Sequence, residues 1–171
     1  MNILYMLCGI PCSGKTFFRE ANFTQDYNVL STDETISKIA GMFSLTYDEC
    51  FRDCIKFAEK RMYDKLKILL KDSTNFADHL IYPKVHIVWD QTNLTLASRK
   101  KKLDLFKDHT YRKIAYVFPT PAPEILEKRM EHRKRLGKNI PKEVMDTMIN
   151  SFVVPTLGEG FDEIRFDYGG I

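Results

Sequence analysis

A glycine-rich segment near the start of the chain has the residue types that bind phosphate groups. Gly9 is followed after four residues by Gly14, Lys15 and Thr16, and the apolar run at 3–7 comes directly before it. In a Walker A motif, backbone amides surround the phosphates, the lysine reaches the β and γ oxygens, and the hydroxyl joins the shell of a Mg²⁺ ion. We therefore expect ATP or another nucleoside triphosphate, with Mg²⁺, at Gly9, Pro11, Cys12, Ser13, Gly14, Lys15 and Thr16.

A carboxylate after the second predicted strand is the candidate general base. Asp33 belongs to the segment LSTDE at 30–34, directly after the strand predicted at 27–31. Phosphoryl transfer needs a group that orients the attacking hydroxyl or accepts its proton, and a carboxylate beside the phosphate loop meets that need. The position is also typical of a helix N-cap, so we expect Thr32 or Asp33 to open the next helix.

A third polar segment follows the strand predicted at 85–90. Asp90 ends an apolar run, and Gln91, Thr92 and Asn93 come after it. A carboxylate here is typical of a group that contacts Mg²⁺ through water, although aspartates at strand ends are also common in turns. The residues alone leave open whether Asp90 meets the metal or fixes the acceptor.

Basic residues cluster on the helix predicted at 122–135. Arg129 and Arg133 are four residues apart and share one helical face, and Gly137 and Pro141 mark a hinge beyond it. Most charged helices are simply solvated, but beside a phosphate loop such a segment favours a lid that excludes water and neutralises developing charge. The predicted lid covers approximately 129–141, and its cations are Arg129, Arg133, Lys134, Arg135 and Lys138.

The elements that must position these residues alternate between strands and helices. This alternation predicts an α/β fold in which a central parallel sheet of about five strands lies between two helical layers. We expect a single domain over 1–171, with the phosphate loop, Asp33 and Asp90 meeting at the carboxyl edge of the sheet. The predicted strands are 2–8, 27–31, 85–90, 112–118 and 163–167, and the predicted helices are 14–22, 33–41, 47–72, 95–107, 122–135 and 141–152.

The longest predicted helix, 47–72, has a capping box and one apolar stripe. Thr46 and Glu49 form the box. Apolar side chains then recur every three or four residues, which is typical of a face that packs in the core. The predicted core residues of this stripe are Phe51, Cys54, Ile55, Ala58, Met62, Leu66 and Leu69.

Composition describes an ordinary folded domain. The chain has 171 residues, 44% of them hydrophobic, and a net charge of +3, so an anionic partner must be held by a local basic cluster. No stretch reaches the roughly 18 apolar residues of a membrane span, and the apolar start lacks the basic region of a signal peptide. We therefore expect neither a membrane nor a stable protein partner.

The cysteines and histidines show no metal-binding spacing. Reduced thiols indicate a reducing compartment, such as the cytoplasm of a bacterial or phage-infected cell. Because Cys12 lies in the phosphate loop, one hypothesis is that its thiol is reactive and that its oxidation blocks nucleotide binding. The other residues of these two types, to which no chemistry is assigned, are Cys8, Cys50, Cys54, His79, His86, His109 and His132.

Several segments together are more specific than the phosphate loop alone. They are the loop at 9–16, STD at 31–33, WDQTNLTLASRKKKL at 89–103, the arginines and IP of the lid, and PTLGEGFDEI at 155–164. With them, almost the whole chain resembles the P-loop kinases related to the 5'-hydroxyl polynucleotide kinase of T-even phage. The resemblance implies a P-loop kinase fold and an enzyme that uses ATP and Mg²⁺ to phosphorylate the 5'-hydroxyl end of DNA or RNA.

The resemblance also implies a role for each matching residue. Asp33 would be the general base, and Lys15 and Thr16 would hold the phosphates and the metal. Arg133 or Arg135 would be the catalytic lid arginine, with Arg129 beside the nucleotide. The acceptor side would be lined by Asp90, Thr92 and Asn93, with Arg99 as a companion.

One position departs from the family pattern. The related kinases have an arginine three residues after the catalytic aspartate, where it helps to hold the phosphate of the acceptor, and this chain has Ile36. Because the change removes a charge-assisted contact, Lys38, Arg52, Lys56 or Arg99 must replace it, or the acceptor has no phosphate there. The open alternatives are a hydroxymethylated base extruded from DNA, a nucleoside or nucleotide, a nucleotide-sugar as in zeta-toxin-like relatives, and a non-catalytic ATP-binding module.

Overall fold

A parallel sheet of five strands forms the centre of the protein, in a computed structural model that describes residues 1–74 and 84–168. Its strand order is β2-β3-β1-β4-β5, so the strand before the phosphate loop is central and pairs with β3 and β4. This confirms the predicted fold class. The strands are β1 (Asn2–Cys8), β2 (Tyr27–Leu30), β3 (His86–Asp90), β4 (Tyr111–Val117) and β5 (Glu163–Phe166).

Helices cover both faces of the sheet. On one face, Met6 of β1 packs in a cluster with Met62 and Leu103 from two different helices. On the other face, Leu7 packs with Phe18 of the first helix. Successive strand residues point to opposite faces, so β1 is buried on both sides. The helices are α1 (Lys15–Asn22), α2 (Thr32–Met42), α3 (Tyr47–Thr74), α4 (Leu96–Leu103), α5 (Pro123–Arg135) and α6 (Lys142–Ser151), with short 3₁₀ turns at Asp104–Phe106 and Leu157–Glu159.

The element boundaries agree with the predicted ones within a few residues, with one change of helix type. The helix predicted at 95–107 is α-helical only to Leu103 and then tightens into the 3₁₀ turn, where the Lys107 amide donates to the Asp104 carbonyl. No helix within residues 1–74 and 84–168 has the length and apolarity needed to cross a membrane. His79 lies outside the described residues.

The long helix α3 has two parts that pack differently. Its C-terminal half lies on the sheet through Met62 and Leu66, and its N-terminal half packs against α2 through Tyr47 and Ala58. The predicted capping box is present, since the Glu49 carboxylate accepts from the Thr46 amide at 2.7 Å. The predicted core position of Phe51 is wrong, because this side chain is 43% exposed.

Candidate active site

The phosphate loop is fixed between the segments that follow β3 and β4, the two strands on either side of β1. The Gly9 amide donates to the Thr92 carbonyl at 2.9 Å, and a Cβ at Gly9 would lie 2.8 Å from the Phe118 carbonyl oxygen. Cys12 and Gly14 have φ angles of 65° and 105°, in the left-handed region that curls the backbone and turns its amides toward one point. Only glycine fits at position 9, and the loop has the shape of an anion nest.

Lys15 is the buried cation of the loop. It is 8% exposed, and its ammonium donates to the carbonyls of Gly9 at 2.9 Å and Ile10 at 2.7 Å. Burial lowers the pKa of Lys15 to about 8, against the opposing effects of Asp90 and Asp33. Both carboxylates line the same cleft as Lys15.

This lowered pKa gives the first testable prediction. Below pH 8 the Lys15 ammonium is charged and ready to pair with phosphate, whereas above pH 8 the free protein must first take up a proton. The affinity for ATP should therefore fall about tenfold per pH unit above pH 8, as measured by calorimetric titration between pH 6.5 and 9.5. The same titration of Lys15→Arg, whose side chain stays charged, should lack this slope; equal slopes would contradict the assignment.

Asp33 faces the same cleft from the start of α2. Its side chain is 52% exposed; Oδ1 accepts a hydrogen bond from the Tyr47 hydroxyl at 2.8 Å, and Oδ2 lies 3.8 Å from the Arg133 guanidinium. The helix opens at Thr32, as expected, but its N-cap is Ser31, which has an extended backbone and accepts from the Glu34 amide. The Asp33 carboxylate is left to face the cleft.

Tyr47 is a site residue that sequence reasoning missed. It begins α3, fourteen residues after Asp33, and only the packing of α3 on α2 brings the two together. Burial, followed by the neighbouring Asp33 carboxylate, raises the pKa of the Tyr47 hydroxyl. The hydroxyl therefore keeps its proton and fixes the orientation of the carboxylate.

Asp90 belongs to an ion-pair cluster that was also missed. Oδ2 of Asp90 lies 3.1 Å from the guanidinium of Arg19, which also contacts Glu34 at 2.6 Å and Glu20 at 3.2 Å. Burial raises the pKa of Asp90, against the effects of Arg19 and Lys15. A signal was present in the sequence, since Arg19 is four residues after Lys15 and therefore on the same face of α1.

The predicted lid lies against the cleft. Nη1 of Arg129 donates to the Cys12 carbonyl at 3.1 Å, and the Lys138 ammonium lies 5.0 Å from the centre of the Tyr47 ring. Arg135 lies outside the cleft, 3.6 Å from Glu131, with most of its side chain exposed. Of the two candidate lid arginines, Arg133 is the one placed beside Asp33.

These groups line one open cleft of about 2190 Å³. It runs along the carboxyl edge of the sheet, where ligands of parallel α/β folds bind. The predicted site residues that line it are Pro11, Cys12, Gly14, Lys15, Thr16, Asp33, Asp90, Thr92, Arg129 and Arg133.

Asn93 and Arg99 do not line this cleft, which corrects their predicted place on the acceptor side. Both are buried, at 1% and 0% exposure. The Asn93 amide donates to the Leu7 carbonyl at 2.7 Å, and the Arg99 guanidinium is paired with the Glu159 carboxylate. Their side chains are occupied by contacts that join β1, α4 and the segment after α6.

The comparison with protein families agrees with this architecture. A family model described as an AAA domain matches residues 4–155, most of the chain. The chain belongs to this AAA-domain family. It is therefore a P-loop domain of the NTPase and kinase type.

Two solved structures share the fold of this AAA domain, and each of them matches 97% of the present chain. One is a protein from Chloroflexus aurantiacus J-10-fl, provisionally described as a kinase, with a TM-score of 0.66 and 16% identity over 84% of its own chain. The other comes from the PezAT chromosomal toxin-antitoxin system of Streptococcus pneumoniae, with a TM-score of 0.61 and 16% identity over 66% of its chain. At 16% identity, the similarity to these two structures shows the fold alone.

Beside the loop, the AAA domain has oxygen ligands that fit Mg²⁺. Thr16 presents an exposed hydroxyl in the first turn of α1, and the Asp90 carboxylate lies in the same cleft. Residues 1–74 and 84–168 contain no group of three or more His, Cys, Asp or Glu side chains that would hold a metal by themselves. One hydroxyl and one carboxylate suit an ion that keeps several waters and shares the phosphates of its nucleotide.

The cysteines of the AAA domain are free thiols. Burial raises the pKa of Cys12, against the effects of Arg133 and Lys15. A raised pKa leaves the thiol protonated at neutral pH and less reactive, which is contrary to the hypothesis of a reactive Cys12.

Position 36 has no access to the cleft. Ile36 is fully buried with Ala40 of α2. Among the suggested replacement cations, Lys38 lines the cleft, whereas Arg52 and Lys56 are exposed on α3 outside its lining. Of these three cations, only Lys38 lies in the cleft where the arginine implied by the resemblance would act.

Proposed function

We propose that this AAA domain is a kinase that transfers the γ-phosphoryl group of ATP to a hydroxyl acceptor, namely the 5'-hydroxyl end of DNA or RNA. The observation that carries the proposal is the placement of Asp33. Its carboxylate is exposed in the cleft that contains Lys15, held by the Tyr47 hydroxyl and faced by Arg133. A nucleotide-binding module without catalysis needs the loop but has no use for this arrangement.

Each group would have a defined part in the reaction. The acceptor oxygen forms a bond to the γ-phosphorus, the bond to the bridging oxygen of ADP breaks, and the hydroxyl proton passes to Asp33. Lys15 and the loop amides hold the phosphates, and Arg133 neutralises charge on the transferred group. Mg²⁺ held near Thr16 and Asp90 would supply further positive charge to the phosphate oxygens.

Two kinds of observation support a nucleic-acid acceptor. Four of the segments that carry the resemblance to polynucleotide kinases, namely the phosphate loop, 31–33, 89–103 and the lid, contribute residues to this cleft, which is open and larger than a nucleotide-sized acceptor requires. The kinase description of the Chloroflexus protein agrees with phosphoryl transfer. Ile36 favours a second candidate, a nucleotide or nucleotide-sugar acceptor whose reacting hydroxyl has no phosphate next to it, because position 36 provides no cation for such a phosphate.

A labelled-transfer assay tests the proposal. The protein is incubated with γ-labelled ATP, Mg²⁺ and oligonucleotides of DNA or RNA that carry either a 5'-hydroxyl or a 5'-phosphate, and in parallel reactions with nucleotides or nucleotide-sugars. We expect label only on 5'-hydroxyl ends, and no transfer by Lys15→Ala, which also excludes a contaminating kinase. Label on nucleotides or nucleotide-sugars alone would favour the second candidate, and binding of ATP without any transfer would contradict a kinase.

A further inference from the structure

The N-terminal half of α3 presents apolar side chains to the cleft where a core position was expected. Phe51 and Ile55 continue the stripe that packs on the sheet further along the helix, but here they line the cleft. Tyr63 is 36% exposed and ends the row, with its ring edge-on to the Trp89 ring at 6.0 Å. Exposed rings in a polar cleft are typical of surfaces that stack other rings.

The first turns of α4 line the cleft together with α3, and the part of the cleft between these two helices is called the groove below. Ala97, Ser98 and Lys101 line the same cleft, and Lys102 lies under them with its ammonium 5.4 Å from the centre of the Trp89 ring. Because Tyr63 and Lys102 both contact Trp89, α3 and α4 meet above the end of β3. The cleft that contains Asp90 and Asp33 therefore extends to both helices.

A basic row flanks the apolar face of α3. Arg52, Lys56 and Lys60 are exposed and recur every four residues, so their side chains follow one side of the helix. Two acidic residues of α3, Asp48 and Glu59, also line the cleft, and Glu59 acts against the burial that lowers the pKa of Lys102. The wall thus offers rings along its centre and cations along its rim.

We propose that this groove binds the acceptor as a single strand of nucleic acid, with bases stacked on Phe51 and Tyr63 and phosphates beside Arg52, Lys56 and Lys60. The inference rests on the proposed function and specifies that the acceptor is single-stranded. Rings stack every base, and cations beside them neutralise the backbone, which is how single strands are held without sequence preference. The site thereby compensates for the cation that is absent at position 36.

The length of the groove gives a quantitative expectation. From Phe51 to Tyr63, α3 rises about 18 Å, which corresponds to several stacked nucleotides at roughly 3.4 Å each. The KM of the acceptor should therefore fall as 5'-hydroxyl oligonucleotides are lengthened from one to about five nucleotides, and then become constant. A nucleotide-sized acceptor site would show no such dependence.

Aromatic variants test the stacking contacts. Phe51→Ala and Tyr63→Ala should each raise the acceptor KM, and the Kd of a fluorescent 5'-hydroxyl octanucleotide measured by anisotropy, by about 5- to 100-fold. Phe57→Ala is the matched control, because Phe57 is 51% exposed on α3 but does not line the cleft. It should leave both values at the wild-type level.

Charge variants test the phosphate contacts. Replacing Arg52, Lys56 and Lys60 together by glutamine should reduce the slope of log Kd against log salt by up to about 2, since each lost contact to a single strand removes about 0.7. Arg52, Lys56 and Lys60 lie beside the lining on α3, so the control replaces by glutamine three exposed lysines outside α3, namely Lys107, Lys128 and Lys142. The net charge changes equally, so an equal change of slope would contradict a specific basic row.

The outcomes separate this inference from the proposed function. If oligonucleotides are phosphorylated but neither acceptor length nor Phe51→Ala changes KM, the groove is wrong and the kinase stands. If no nucleic acid is phosphorylated but octanucleotide binding is strong and is lost in Phe51→Ala, the groove stands and the kinase is wrong.

Discussion

Replacing Asp33 by asparagine is expected to lower kcat for phosphoryl transfer about 100- to 10,000-fold while ATP binding stays near the wild-type level. Asparagine has the same shape and can still accept from the Tyr47 hydroxyl, but it cannot take the proton of the acceptor. The loop and Lys15, which would hold the triphosphate, are unchanged. Single-turnover transfer to a 5'-hydroxyl oligonucleotide measures the chemical step, and calorimetric titration measures ATP binding.

Asp26→Asn is the matched control for this variant. Asp26 is an exposed aspartate before β2 that does not line the cleft, so its replacement removes the same charge without touching the site. It should transfer phosphate at the wild-type rate. Undiminished transfer by Asp33→Asn would show that Asp33 is not the general base. If ATP binding were lost together with kcat, Asp33 would be needed to bind the nucleotide.

Replacing Glu159 by alanine is expected to lower the free energy of unfolding by about 3–5 kcal/mol. Its partner Arg99 is fully buried, with contacts of 2.6 and 2.8 Å to the two carboxylate oxygens. Removing the carboxylate leaves the Arg99 guanidinium buried without its counter-charge. Water cannot solvate the guanidinium at this buried position. Urea unfolding followed by circular dichroism measures the loss, with an unchanged m value as the sign of two-state behaviour.

Glu163→Ala provides the comparison on the surface. Glu163 pairs with Arg112 at 2.8 Å and with Arg165 at 2.5 Å, but all three side chains are partly exposed, so its removal should lower the free energy of unfolding far less than Glu159→Ala does. Similar losses for the two variants would contradict a structural role of the buried pair.

The Glu159 pair also has a defined pH dependence. Burial on its own raises the pKa of Glu159, but hydrogen bonds from Arg99 and the Thr156 amide hold it below the ordinary value of 4.5. The folded state therefore binds its proton more weakly than the unfolded state, and the stabilisation is present above pH 4.5 and lost as pH falls below it.

Most of the fold could be predicted because its signals are local. Apolar runs, helical periodicity and the spacing of glycines involve residues a few positions apart, and the structure contains the five predicted strands in a parallel sheet. The convergence of the loop, Asp33 and Asp90 also followed from the sequence, because parallel strands must end at one edge.

The failures concern positions where a local pattern has two outcomes. Phe51 and Met62 belong to the same apolar stripe, but only the second lies over the sheet. Arg99 is a cation in a basic segment of α4, and its spacing does not reveal that its charge is paired inside the protein.

The sequence by itself determined the elements, their order and the loop that holds phosphate, because these depend on contacts within a few residues. Only the tertiary structure decided which side chains meet across the cleft: Tyr47 with Asp33, Arg19 with Asp90, and Arg99 with Glu159. These partners are 14, 71 and 60 residues apart. Whether such side chains touch depends on how helices pack on the sheet, and that packing is set by the whole core.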